Sequence, residues 1–394
     1  MKRYILIVAA VALATVSCSR HYDVNHHSEG MPINLSSWAD NLTKARTVGG
    51  TAFASGDVFY VYGFNTKSTT NTPVFDGVTV TAQDTDPLTW QYTPIRFWDS
   101  NTDSYTFYAV SPSENTVTVA NLIDTRDVTA GTMTSKDLTF SGANNDVLVA
   151  DKKVVVNDDY GKKVELNFRH AAAKFDLKVR KGAGLVAAGA TVNVIGVSLV
   201  NIESKGRFAV TGYNAATADP DPNKALVARW TLADTPVPAE FKSENDVDDS
   251  TTPVTPAISS SNKVEVTATL SSDPTSQYLI KDLIVMPQDF NATTALKAGQ
   301  GLKISYEIIT GTGTAAQTVT FTDKVYDLVL FDETDYDTDD DTGEGVDYNK
   351  ATKVTGWDPG IHYTYIVTLD ANAIEFTAKM QAWGTESGYY YLIN

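Results

Sequence analysis

Apolar and polar residues alternate with period two along much of the chain, the spacing of strands that bury one face. The clearest run covers residues 164–180. Val164, Leu166, Phe168 and His170 point one way, and Glu165, Asn167 and Arg169 the other. Beyond Ala171, Ala172 and Ala173, the set Phe175, Leu177 and Val179 opposes Lys174, Asp176, Lys178 and Arg180. Two strands meet there, and a domain junction is expected beside them. Near the start, Ile33 and Leu35 share a face against Asn34 and Ser36, which predicts a short first strand. A polar loop carrying Lys44 and Arg46 follows, and residues 58–64, VFYVYGF, are then almost wholly apolar. So little alternation predicts a strand buried on both faces. A first strand tied to its domain by a long polar loop can be removed by a protease.

Short strands are expected near 78–82 and 90–92, after a connection rich in Thr and Asn. In 104–110, Tyr105, Phe107 and Ala109 share one face and Tyr108 and Val110 the other; Pro112 ends the strand because it has no N–H for a ladder. The second half repeats this style at 192–200, 205–211, 225–232, 263–270, 278–285, 302–309, 316–321, 363–369 and 374–380, with a last aromatic run at 389–393. Residues 233–262 carry no core pattern and read as a surface excursion or a partly disordered loop. Helical periodicity is scarce and turn residues recur roughly every eight to twelve positions, so the expected class is all-β, built as β-sandwiches. A chain of 394 residues with 42% hydrophobic content can fill two cores. The expected division is a signal at 1–17, a polar tether at 18–30, an N-terminal domain at 31–165 and a C-terminal domain at 166–394.

Charge and the N-terminus add a compartment. The formal net charge is −17 and the pI about 4.6, so a nucleic-acid backbone would be repelled and no nucleic-acid partner is expected. Lys2 and Arg3 precede an apolar run over 4–14, and Thr15, Val16 and Ser17 lead to Cys18, the only cysteine in the sequence. Basic, apolar and small residues in that order make an export signal. The pattern resembles a bacterial lipoprotein signal, in which Cys18 is lipidated and becomes the first residue. The alternative is an ordinary secretory signal with an incidental cysteine, although a lone thiol is an odd thing to carry into an oxidising compartment. Removing residues 1–17 takes away Lys2 and Arg3 and leaves 29 basic against 48 acidic residues, a net charge of −19. No later apolar run is long enough to cross a bilayer as a helix, so membrane attachment is expected through the lipid on Cys18.

Catalytic and metal-binding patterns are sparse. His21, His26 and His27 lie in the tether without Cys or acidic partners at ligand spacing. Residues 332–348, DETDYDTDDDTGEGVDY, read as a solvated acidic loop; an irregular calcium site is the alternative, since no window places Gly sixth and Glu twelfth as an EF-hand requires. No G-x-S-x-G elbow, H-E-x-x-H pair or glycine-rich phosphate loop occurs. His170 and His362 read as packed or cross-strand histidines, because no motif places an acid beside them. No enzyme activity, cofactor or metal is expected.

Several segments together resemble the fimbrillin family, the subunits of type V pili in anaerobic Gram-negative bacteria, and in particular its fimbrillin-like lipoprotein branch. They are the signal ending at Cys18, the strand-loop-strand of 32–64, WQYTPIRFWDSNTDSYTFYAVSP at 90–112 and LNFRHAAAKFDLKV at 166–179. To these add Val285-Met286-Pro287-Gln288 and WDPGIHYTYIVTL at 357–369, followed by 374–383. The resemblance implies two β-sandwich domains of transthyretin-like topology, export to the cell outer membrane as a lipoprotein, and assembly into an extracellular fimbrium by strand exchange with other pilus subunits. It also implies a cut by an arginine-specific trypsin-like protease in the loop after the first strand. Arg46 matches that site and gives a mature start at Thr47. The strand carrying Ile33 and Leu35 then leaves with the lipid, and Ile374, Phe376, Ala378 and Met380, on one face of their strand, form the candidate donor strand for a neighbour. The alternative is a non-polymerising outer-membrane surface lipoprotein that holds a glycan or host ligand with aromatics such as Trp90, Trp98 or Trp357.

Overall fold

The computed structural model describes residues 30–38, 53–83, 88–112, 119–130, 132–140, 146–210, 230–232, 238–242, 258–269, 277–290, 300–328, 330–331, 353–354, 356–370, 374–382 and 389–391. Cys18, Arg46, Thr47, the three histidines of the tether and the acidic stretch 332–348 lie outside the described residues.

An eight-stranded sheet forms the first half. Its strands are β1 (Leu35–Trp38), β2 (Val58–Lys67), β3 (Thr70–Ala82), β4 (Trp90–Tyr92), β5 (Ser104–Ser111), β9 (Leu148–Ala150), β10 (Lys153–Val156) and β11 (Val164–His170). They run in the order β1-β11-β9-β5-β2-β3-β4, with β10 also on β5. One core gathers Leu35, Phe59, Phe75, Phe107, Ala150, Val155 and Phe168, so the strands of this single sheet curl around their own interior. As its apolar run predicts, β2 is buried on both faces: Phe59 and Val61 face that core, and Val58, Tyr60, Tyr62 and Phe64 face a second one. The second core is closed by the short helix α1 (Val119–Leu122), the hairpin of β6 (Ile123–Asp127) and β7 (Thr132–Ser135), and Phe208 and Val210.

The Thr- and Asn-rich stretch read as a connection is strand instead. β2 runs on to Lys67, turns through Ser68 at φ 57°, and returns as β3 from Thr70. Most of its positions are exposed or half-buried, so no apolar alternation marks them, while β-branched threonines suit extended backbone.

After β11 only Ala171 and Ala172 intervene before β12 (Ala173–Lys181), which belongs to another sheet. A boundary at 165/166 would therefore cut through β11; the chain changes sheets at 171–172. The new sheet has the order β18-β12-β25-β26-β27, with β18 (Gln277–Val285), β25 (Ile361–Leu369), β26 (Ile374–Ala382) and β27 (Tyr389–Tyr391). A further sheet pairs β13 (Thr191–Glu203) with β16 (Pro238–Lys242), β17 (Val264–Glu265) and β20 (Gly301–Thr310), and β20 with β21 (Gln317–Asp327). These two sheets enclose a core that includes Phe175, Leu177 and Val179 from β12, Val192 and Leu199 from β13, Leu302 and Ile304 from β20, and Tyr363 and Tyr365 from β25. The short helix α2 (Ala183–Ala187) follows β12, and two small ladders join β19 (Gln288–Asp289) to β24 (Gly356–Trp357) and β22 (Leu330–Phe331) to β23 (Lys353–Val354).

The halves interlock. β8 (Leu138–Thr139) from the first half pairs with β14 (Lys205–Phe208), which pairs in turn with β15 (Trp230–Leu232). Arg207 and Lys205 both meet Asp137, at 3.0 and 3.3 Å. Trp230 donates its indole N–H to the Ala171 carbonyl at 2.8 Å and packs on the rings of Phe140 and Phe208.

Candidate functional site

The segment 31–38 is the stave that closes the first sheet. On one side β1 runs parallel to β11, Leu35 opposite Val164 and Trp38 opposite Asn167, and the Val164 N–H donates to the Asn34 carbonyl at 2.9 Å. On the other side, the stretch after β4 runs antiparallel to it. There the Ile33 N–H donates to the Arg96 carbonyl at 2.8 Å, and the Trp98 N–H to the Met31 carbonyl at 3.0 Å. The Tyr92 hydroxyl donates to the Ile33 carbonyl at 2.7 Å and accepts from the Arg96 N–H at 3.3 Å. Burial raises the Tyr92 hydroxyl's pKa above its ordinary value, and the hydrogen bond with the Arg96 backbone offsets that only in part. The two ends of the curled sheet thus meet on this segment.

Its side chains fill the space between. Ile33 is 0% and Leu35 5% exposed, while Asn34 faces solvent, as the alternation predicts. Trp98 lies in the same core, stacked on Tyr160 with ring centroids 4.7 Å apart and edge-on to Tyr105 at 4.8 Å. Met31 covers Gly161, which has φ +87°. A Cβ at Gly161 would meet only the flexible end of the Met31 side chain, so it is the backbone conformation that calls for glycine there. Where the chain resumes after residues 39–52, Phe53 is buried edge-on against Trp90 and Phe168, at 5.1 and 5.3 Å.

The candidate donor strand lies in a different sheet from this groove. β26 pairs antiparallel with β25 along its whole length, so that Ile374, Phe376, Ala378 and Met380 stand opposite Leu369, Val367, Tyr365 and Tyr363. β27 pairs with β26 from Ala378 to Met380. In this structure β26 completes its own sheet.

Both strand histidines have acid partners that no motif announced. His170, wholly buried, meets Asp146 through Nδ1 at 2.6 Å, and His362 meets Asp176 through Nε2 at 2.8 Å. Asp176 also accepts the Asp282 N–H at 2.7 Å, and Lys174 pairs with Asp282. Burial alone would raise the Asp176 carboxyl, but the charge and hydrogen bond of His362, the Asp282 N–H and Lys174 outweigh it and hold the group below its ordinary value. Asp176 comes from the neighbouring strand β12 and Asp146 from the residues just before β9, the neighbour of β11, and a linear pattern does not show which strands are neighbours. Among the described residues, no three His, Cys, Asp or Glu side chains form a group that could hold a metal. Two of the aromatics offered for a glycan surface are core residues: Trp98 is 2% and Trp357 0% exposed, because strand packing on both sides takes their faces. Trp90 is half-buried against Phe53 and Phe59.

Fold and groove together define an all-β protein whose first sheet is closed by an N-terminal segment on a long connection. The chain belongs to the fimbrillin-like family, whose sequence model matches residues 43–383. Among solved structures it is similar to a fimbrial protein from Bacteroides vulgatus, with 20% identity, 89% of this chain and 99% of that one covered, and a TM-score of 0.54. It also matches a fimbrial assembly protein from Parabacteroides distasonis at 9% identity, covering 85% of this chain and 91% of that one, with a TM-score of 0.32. The first likeness shows a shared fold. No curated protein matches the sequence.

Proposed function

We propose that the chain is a structural and adhesive subunit of a type V pilus, exported as a lipoprotein precursor and assembled by strand exchange. Lipid on Cys18 holds the precursor at the outer membrane. An arginine-specific trypsin-like protease cuts between Arg46 and Thr47, the segment with Ile33 and Leu35 departs, and the groove between β11 and residues 96–98 takes residues 374–380 of another subunit by β-augmentation. Division into two domains of transthyretin-like topology, meeting at 171–172, belongs to the same proposal.

The burial of Ile33 and Leu35 in a separable stave carries this reading. Each side chain contributes roughly 1.5–3 kcal/mol by leaving water. A whole domain is held by roughly 5–15 kcal/mol, so an emptied groove, with unpaired backbone on two walls, strongly favours refilling. Phe53 supports the position of the cut, since it anchors the chain on the body side of residues 46–47.

The test is Arg46→Ala in the exporting cell. Wild-type protein from assembled fimbriae should begin at Thr47 and run as denaturation-resistant ladders, and the variant should stay folded, monomeric and uncut. Surface-assembled protein that begins at Cys18, or ladders that form unchanged in the variant, would refute the assignment.

A further inference from the structure

Within the second sheet, β12 and β25 run parallel and in register from Lys174 opposite His362 to Lys181 opposite Leu369. Backbone bonds extend the seam at both ends. The Gly360 N–H donates to the Ala172 carbonyl at 2.8 Å at one end, and the Gly182 N–H to the Leu369 carbonyl at 2.7 Å at the other. Beyond that, the Gly184 N–H donates to Asp370 Oδ2 at 3.2 Å. Side chains cross the same seam: Asp176 with His362 at 2.8 Å, and Arg180 Nε donating to Thr368 Oγ1 at 2.9 Å.

The seam is dry on its core face and partly covered on the other. Phe175, Leu177, Val179, Tyr363, Tyr365 and Val367 are at most 1% exposed on the core side. On the opposite side Asp176, Thr364, Ile366 and Thr368 are buried, while Lys174, Lys178, Arg180 and His362 are half-buried. Water cannot readily replace hydrogen bonds that it does not reach.

Connectivity sets how this seam would be pulled. The chain enters β12 from the first sheet through Ala172 and leaves β25 at Asp370. In a parallel pair those two points are at opposite ends. We propose that the β12–β25 seam is a mechanical clamp: tension along the subunit drags the two strands past each other, so the bonds of the ladder must yield together. A pull from beyond β26 acts differently. Ala382 stands opposite Ile361, at the end of the sheet where β12 begins, so such a pull peels β26 away one residue pair at a time. The load in the cell rests on the pilus reading, because a strand 374–382 held by a neighbour makes tension leave the chain near residue 370.

The test is single-molecule force spectroscopy on the full chain carrying Cys18→Ser, so that introduced cysteines are the only handles. One version carries Asn167→Cys with Asn372→Cys, and the other Asn167→Cys with Glu386→Cys. At one loading rate the 167/372 pair should rupture at several times the force of the 167/386 pair, since forced unfolding reports the barrier along the pulled direction. Thr368→Val, which keeps shape and removes the Arg180 bond, should lower the first force and leave the second unchanged. Equal forces in the two geometries, or no effect of Thr368→Val on the 167/372 pair, overturn the clamp. Single subunits are pulled, so a failure of strand exchange would appear in the ladder assay and leave this result untouched.

Discussion

Strands β1 and β12 each make a parallel pairing, β1 with β11 over four residue pairs and β12 with β25 over eight, while the other ladders among the described strands are antiparallel. The shorter one has one wet face. Asn34 is exposed and Ser36 and Ser37 are half-buried, so Ile33 and Leu35, with Met31 partly buried beside them, commit the segment to a core. The longer one is buried on its core face, has Asp176, Thr364, Ile366 and Thr368 buried on the other, and is crossed by Asp176–His362 and Arg180–Thr368. Parallel geometry is common to both, so it does not decide the role. Length, and what covers the second face, separates the segment proposed to be withdrawn from the one proposed to hold its sheet together.

The largest effect is expected where the longer pair is hollowed out. Phe175→Ala removes a ring packed against Trp357 and Tyr365 at 5.4 and 5.2 Å and should cost about 3–5 kcal/mol. Hydrogen exchange should show β12 and β25 amides losing protection while those of β1 and β11 keep theirs. Equal loss in both sheets would mean that they unfold as one unit, and the contrast drawn above would fail. Ile33→Ala should cost about 2 kcal/mol, the low end for such a truncation, because the stave can detach without unfolding its neighbours. Its signature is faster exchange at Ile33, Val164 and Trp98, with β12 unchanged.

Tyr92→Phe removes the bond to the Ile33 carbonyl and should cost about 1 kcal/mol. This residue also makes the stave sensitive to alkali. Its hydroxyl titrates higher in the folded state than in the unfolded one, so the stabilisation is complete below about pH 10 and is lost as pH rises through the folded value. Denaturant melts between pH 9 and 12 should therefore fall less steeply for Tyr92→Phe than for wild type. Ser36→Ala, which removes only a 3.5 Å contact with the Val164 carbonyl, should stay within about 0.5 kcal/mol in the same melts.

The strand at 164–170 was legible from sequence, because its single buried face gives an alternation that needs no knowledge of neighbours, and the apolar set at 173–180 marked the core side of β12 in the same way. β2 was legible for the complementary reason: an unbroken apolar run has two cores to fill. The β2–β3 arms were not, since positions wet on both sides carry no apolar signal, and Thr serves a loop as readily as a strand. In the groove, the alternation of Ile33 and Leu35 was visible, but not what they pack on. Trp98, Tyr160 and Gly161 come together only once the sheet curls, and Tyr92 reaches the Ile33 carbonyl from 59 positions away. Trp98 and Trp357 were offered as ligand contacts because tryptophan is large and part polar, and composition alone does not tell a surface platform from a core ring.

Arg180 and Thr368 meet across the β12–β25 seam although 188 positions separate them along the chain. During synthesis β12 emerges long before β25, its parallel partner, and contacts of such high sequence separation form slowly. For that interval the strand offers apolar side chains and an open backbone edge to any other chain nearby, the condition under which β proteins aggregate. The seam proposed to resist tension in the finished subunit is therefore an open edge at birth, until residues 361–369 arrive.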